Sequence, residues 1–173
     1  MLVQRRRAER GRALKAIYRP CVLAVFTNRD GLVLVAERTQ PTNSWQFPQG
    51  GIDPGETPEI AVRREMREEL GVKHVDIIGR TAGAIRYFFP AGLQTEIAKK
   101  YRGQDQVWFH LQLPVNEVPD LAQATDKEFQ AIDWVSPLEA LNRVVTFKRE
   151  AYQQGLTELG LLPVTAPPHP RIG

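Results

Sequence analysis

Residues 50–72 read GGIDPGETPEIAVRREMREELGV, and the reading of this stretch decides the fold. Thr57 is a side-chain N-cap, Pro58 suits the first helical position and Gly71 is a natural stop, so the pattern predicts a helix over Pro58–Leu70. At about 100° per residue, its side chains sort into three arcs. Val62, Met66 and Leu70 form an apolar arc for the core, Arg63, Arg64 and Arg67 a basic one, and Glu65, Glu68 and Glu69 an acidic one. The acids lie in the C-terminal half, where the helix dipole disfavours negative charge, and like charges three or four apart cost a few tenths of a kcal/mol per pair, roughly. Two readings compete. One is a solvated face in which Arg64 pairs with Glu68; the other is a set of hard oxygen ligands suited to Mg²⁺ or Mn²⁺.

The loop before the helix, Gly50 to Glu56, is a turn-forming run that lets backbone approach a ligand or metal closely. It has neither the Walker lysine pattern nor GxGxxG, so it is not an ordinary phosphate cradle. Gly50, five residues, Glu56, seven residues, then Arg64-Glu65-Met66-Arg67-Glu68-Glu69-Leu70-Gly71-Val72 resembles the Nudix box at every fixed position. That resemblance implies an α/β fold (α+β in its mixture of elements), an α/β/α sandwich around a mixed sheet. It also implies divalent-metal-dependent cleavage of a nucleoside diphosphate linked to another group.

Outward from the box, residues 21–28 and 32–39 are apolar, β-branched runs around Arg29-Asp30-Gly31 and predict a β-hairpin. Residues 74–89 and 107–115 read as further strands, with Ala91 to Gln106 as a polar surface connection between them. Glu128–Val135 reads as one more strand, followed by helices over Leu138–Val144 and Phe147–Leu161. No repeat or linker interrupts this, which predicts a single domain over 18–162 between a basic leader (1–17) and a disordered proline-rich tail (163–173).

The composition excludes other classes. With 173 residues the chain is long enough for one sizeable core. A single cysteine, Cys21, forms no internal disulfide and reads as a buried small hydrophobe. No apolar run approaches the roughly 20 residues of a membrane span, so a cytoplasmic protein without a membrane role is expected. Residues 1–19 carry seven basic side chains against Glu9 alone, for +6, and the other 154 residues are −3. Such a leader is either a solvated, disordered segment or an arm for polyanions such as nucleic acid.

A wider resemblance runs from about Tyr18 to about Tyr152. Tyr18-Arg19-Pro20, Ser44 through Gly51, Ile85-Arg86-Tyr87, Tyr101 through Gln106, Trp108-Phe109 and Phe147-Lys148-Arg149 are similar to segments of bacterial RNA pyrophosphohydrolases and the related diadenosine polyphosphate hydrolases. The resemblance implies Glu65, Glu68, Glu69 and Glu128 as metal ligands, with a backbone carbonyl at Gln49–Gly50 completing the coordination of two or more Mg²⁺ or Mn²⁺ ions. One of these glutamates would orient or deprotonate the attacking water. Arg64 would hold a glutamate in place. Asp126 and Asp133 compete with Glu128 for its role. Arg19, Arg38, Arg86 and Lys148 are candidate phosphate contacts, and Tyr87 and Phe147 candidate base-stacking rings. Each of these six also has an ordinary reading, as surface charge or core aromatic. The implied substrate is the 5′-triphosphate or diphosphate end of RNA, leaving a 5′-monophosphate. The alternative is asymmetric cleavage of diadenosine tetra- or pentaphosphate to release ATP, and a third is a nucleotide-binding protein without catalysis. No obligatory protein partner is expected. Leu23-Ala24, where a glycine is common in the bacterial RNA enzymes, and the polar Thr125-Asp126-Lys127 before Glu128 depart from that pattern.

Overall fold

The computed structural model describes residues 17–164, so the leader and tail expectations fall almost wholly outside the described residues. Its strands are β1 (Tyr18–Phe26), β2 (Val33–Arg38), β3 (Trp45–Gln46), β4 (Gln49–Gly51), β5 (Asp76–Arg80), β6 (Ile85–Phe88), β7 (Gly103–Gln112) and β8 (Phe129–Val135). Its helices are α1 (Pro58–Leu70), α2 (Glu96–Lys100), α3 (Pro137–Arg143) and α4 (Arg149–Glu158), the last entered through a 3-10 turn at Thr146–Lys148. Among the described residues no helix is long and apolar enough to cross a membrane.

The runs on either side of Arg29-Asp30-Gly31 are not paired as the predicted hairpin. β1 lies between β4 and β7, parallel to β7, whereas β2 lies between β3 and β8 in a second, antiparallel sheet. One bridge, Thr27 to Val33, is all that remains of the hairpin. The turn itself forms, with Asn28 Oδ1 accepting from the backbone N–H of Asp30 and Leu32 and Gly31 at φ 74°. The pairing differs because residues 21–26 and 33–36 are buried on both faces, and a strand covered twice belongs inside a layered sheet.

Those two faces define two cores. Val22, Ala24 and Phe26 of β1 and Leu34 and Ala36 of β2 pack with Val62, Met66 and Leu70 of α1. Leu23, Val25, Val33 and Val35 face the other way, toward Trp108, Leu141 of α3 and Tyr152 and Leu156 of α4. The result is the expected α/β/α sandwich, built on one mixed sheet and one antiparallel sheet. Fully burying each of the three apolar α1 side chains contributes about 2 kcal/mol, which fixes the rotation of the helix. A second difference lies at Gly103–Gln106, read as surface connection. These residues open β7, with Gln104 and Gln106 only 3% and 1% exposed.

Candidate active site

Helix α1 begins and ends as its sequence dictates. Thr57 Oγ1 accepts from Ile60 N–H, and Gly71 closes the helix at φ 66° with its N–H on Arg67 O. Fixing the apolar arc inward leaves Glu65 and Glu69 at the edge of the buried face, where both are buried, while Arg64 and Glu68 stay half-exposed.

β4 lies at the edge of its sheet beside this acidic arc. Register on β1 pairs Val22 with Gly50 and Cys21 with Gly51, so the two glycines present opposite faces. On one face a Cβ at Gly50 would stand 1.8 Å from Glu65 Cδ. On the other, a Cβ at Gly51 would stand 2.5 Å from Arg19 Nη2. The glycine pair thus admits a carboxylate on one side and a guanidinium on the other, a close approach that side chains there would block.

Arg64 organises the carboxylates. Its guanidinium donates to both oxygens of Glu56 at 2.7 and 2.9 Å, to Glu65 Oε1 at 2.8 Å, to Glu68 Oε2 at 2.9 Å and to Gly51 O at 2.8 Å. These bonds hold the Glu56 carboxyl down at about 2. Arg64 therefore positions glutamates and the box loop, and its donors are used up in doing so.

Glu69 is 1% exposed and accepts one hydrogen bond, from Gln49 N–H at 3.1 Å. Burial, then the charges of Glu128 and Glu65, push it well above the usual carboxylate range. Burial raises Glu65 as well, against the pull of Arg64. A buried carboxylate facing other carboxylates is costly to ionise unless a cation joins it, so the donor set fits a hard divalent ion. As the side chains stand, no three Asp, Glu, His or Cys groups among the described residues converge tightly enough to hold one. Arg64 draws Glu65 and Glu68 toward itself.

The remaining predicted residues divide. Arg38 Nε lies 3.5 Å from Glu128 Oε1, an ion pair without hydrogen-bond geometry. Lys148 is buried, donates to Gln46 Oε1 at 3.1 Å and sits 5.7 Å from the Tyr87 ring centroid; burial lowers it to about 8. Tyr87 is buried, donates to Gln104 Oε1 at 2.9 Å and packs on Phe147 at 6.0 Å between centroids. Arg86 is not part of this cluster. Strand alternation sends it to the face opposite Tyr87, where it pairs with Asp105 at 2.7 and 2.9 Å and lies 3.7 Å over the Tyr18 ring. Asp133 is taken up by Arg143 at 2.7 Å, whereas Asp126 remains near enough for its charge to act on Glu69. Cys21 is a buried hydrophobe, its thiol pushed up to about 12 by burial.

A glutamine network at the same site was not singled out from the sequence. Gln46 accepts from Lys148, and Gln106 Nε2 donates to Gln49 Oε1 at 2.7 Å and to Gln104 Oε1 at 3.0 Å. Its one sequence signal is that these glutamines fall within the segments Ser44–Gly51 and Tyr101–Gln106. Glutamine has no charge to mark it out.

Comparisons with known proteins bear on the family and the fold. The NUDIX domain family matches residues 17–155. The RNA pyrophosphohydrolase of Pseudomonas putida (strain GB-1) is 45% identical over 146 residues, covering 82% of this chain and 91% of that protein. The RNA pyrophosphohydrolase of Erythrobacter litoralis (strain HTCC2594) is 41% identical over 147 residues, covering 82% and 90%. Among solved structures, a NUDIX hydrolase from Nitrosomonas europaea superposes with a TM-score of 0.60 at 19% identity, covering 86% of this chain and 97% of that one. A C. elegans Ap4A hydrolase binary complex gives 0.58 at 16% identity, covering 83% and 99%; at these identities both show the fold alone. Nudix hydrolases generally use divalent metal ions, and with a match over most of its length the chain belongs to the NUDIX domain family of hydrolases.

Proposed function

We propose that this hydrolase acts on the 5′-triphosphate or diphosphate end of RNA in the cytoplasm, removing pyrophosphate or phosphate to leave a 5′-monophosphate. The observation that carries the reading is the glycine pair of β4, with Glu65 against Gly50 and Arg19 against Gly51. A phosphate chain laid across that edge meets carboxylates on one side and the Arg19 guanidinium on the other. The substrate class follows the relatives named RNA pyrophosphohydrolase, which this chain matches over about nine-tenths of their length.

Glu65, Glu68, Glu69 and Glu128, with a backbone carbonyl at Gln49–Gly50, are the residues to hold two or more Mg²⁺ or Mn²⁺ ions. When bound, those ions lower the pKa of a coordinated water and neutralise charge on the phosphoryl oxygens. The chain's own groups do the rest. Arg64 keeps Glu65 and Glu68 oriented, a glutamate of the cluster takes the proton of the attacking water, and Arg19, Arg38 and Lys148 hold phosphate oxygens. Phe147 supplies apolar surface for a base, backed by the buried ring of Tyr87.

Parallel turnover of triphosphorylated RNA and diadenosine tetraphosphate, at matched enzyme and Mg²⁺ concentrations, tests the reading. RNA is expected to give the higher kcat/KM, and EDTA to abolish both activities until Mg²⁺ or Mn²⁺ is restored. Preference for the dinucleotide assigns the alternative substrate, and full turnover in chelator overturns the assignment.

A further inference from the structure

Glu128 lies just before β8, at the end of a long irregular connection from β7, and such a segment has no ladder to fix a side chain. This one is tied at four backbone points. Asp120 N–H donates to Leu70 O and Asp126 N–H to Glu68 O, both at 2.8 Å, so the connection is bonded to the last turn of α1. Gly71 makes this possible, since a Cβ there would stand 2.3 Å from Asp120 O. On the other side, Thr39 N–H donates to Glu128 O at 2.7 Å and Thr39 Oγ1 to Lys127 O at 2.8 Å.

Between these ties the Lys127 side chain folds back on its own loop. Its ammonium donates to Ala124 O at 2.6 Å, Leu121 O at 3.2 Å and Ala122 O at 3.4 Å. An ammonium has three protons, so none is left for phosphate. The ammonium is committed to its own loop, and that loop is bonded to the last turn of α1.

We infer that Lys127 is a positioning residue: by clamping the 121–124 turn to the strand start, it holds Glu128 at a fixed distance from Glu68 and Glu69 for shared metal binding. This rests on the reading of Glu128 as a ligand. It gives the departing segment Thr125-Asp126-Lys127 a purpose.

The test is calorimetric Mn²⁺ titration of the metal-free, full-length protein without substrate. Lys127→Met keeps the stem and loses the donors, and it is expected to weaken Mn²⁺ binding about tenfold, the lower end for outer-shell partners. Lys127→Arg should restore most of that affinity. Thr39→Val, which deletes the hydroxyl donor to Lys127 O, should shift affinity the same way and covers the case in which Lys127→Met does not fold. In a Glu128→Gln background, adding Lys127→Met should cost nothing further. Excess Mn²⁺ should recover kcat in Lys127→Met, with KM for RNA unchanged. Additive losses in the double variant overturn the proposal, as does unchanged binding in Lys127→Met or Thr39→Val while Glu128→Gln binds weakly. Unchanged binding in Glu128→Gln itself overturns the ligand reading, and Lys127 with it.

Discussion

Glu69 carries two opposing demands at one carboxylate. It is 1% exposed with one backbone donor, and its neighbours Glu128 and Glu65 repel its charge. Replacing it by Gln keeps the size and the acceptor for Gln49 N–H but removes the charge. Turnover is expected to fall at least about a hundredfold, the scale of a lost major electrostatic element, with the loss in kcat. Stability should move the other way. A carboxyl whose folded pKa lies above its unfolded value stabilises the fold in its protonated form, fully below about 4.5 and progressively less as pH rises through the folded value. Metal-free wild type should therefore lose stability relative to Glu69→Gln as pH rises above that range. Urea midpoints of the two proteins, measured from pH 4.5 to 8 in chelator, give the comparison. Parallel midpoints at all pH values would mean that Glu69 is not buried in the metal-free protein.

At the scale of elements, α1 was legible to the residue, because cap, proline, apolar arc and stop all point the same way. Its neighbours were less so, for a physical reason. The Asp-Gly turn is local and was read correctly, but whether β1 and β2 pair is decided by α3 and α4 covering the face that a hairpin would leave to solvent. Gly103–Gln106 looked like surface because glutamine is usually exposed; its amides are buried here because they bond one another and Tyr87. The acidic arc was legible as chemistry, whereas the separation of Arg86 from Tyr87 followed only from strand alternation once β6 had bounds. Gly71 tests how closely the 113–128 connection is built on α1. Gly31 and Gly71 both have left-handed backbone, at φ 74° and 66°, but a Cβ meets nothing within 4 Å at Gly31 and stands 2.3 Å from Asp120 O at Gly71. Gly31→Ala should cost about 1 kcal/mol from backbone strain alone. Gly71→Ala should cost about 1–3 kcal/mol more from the steric conflict, by urea denaturation. Equal costs would show the connection yielding freely at that end.

Across the whole molecule, the charge is divided between the first residues and the rest. Residues 1–16 contain Arg5, Arg6, Arg7, Arg10, Arg12 and Lys15 against Glu9, whereas the formal net charge of the chain is only +3. The proposed active-site edge is itself rich in carboxylates, so a polyanionic substrate gains little long-range attraction from it before metal binds. A basic segment can supply that attraction to a long RNA, which has many phosphates to offer it, whereas a dinucleotide has few. Deleting residues 1–16 is expected to raise KM for triphosphorylated RNA with kcat nearly unchanged, the pattern of lost uniform binding. Ile17 is kept because its carbonyl accepts from Arg102 N–H at 2.8 Å, which anchors the start of β1. The defect should shrink as salt rises, since the counterions displaced by about six cations gain less entropy on release into a more concentrated solution. Diadenosine tetraphosphate hydrolysis should barely change, which separates an RNA-binding role from any effect on the fold. Equal, salt-independent kinetics of the full and shortened chains on both substrates would assign the basic residues no part in substrate capture, leaving attraction to the metals and to Arg19, Arg38 and Lys148.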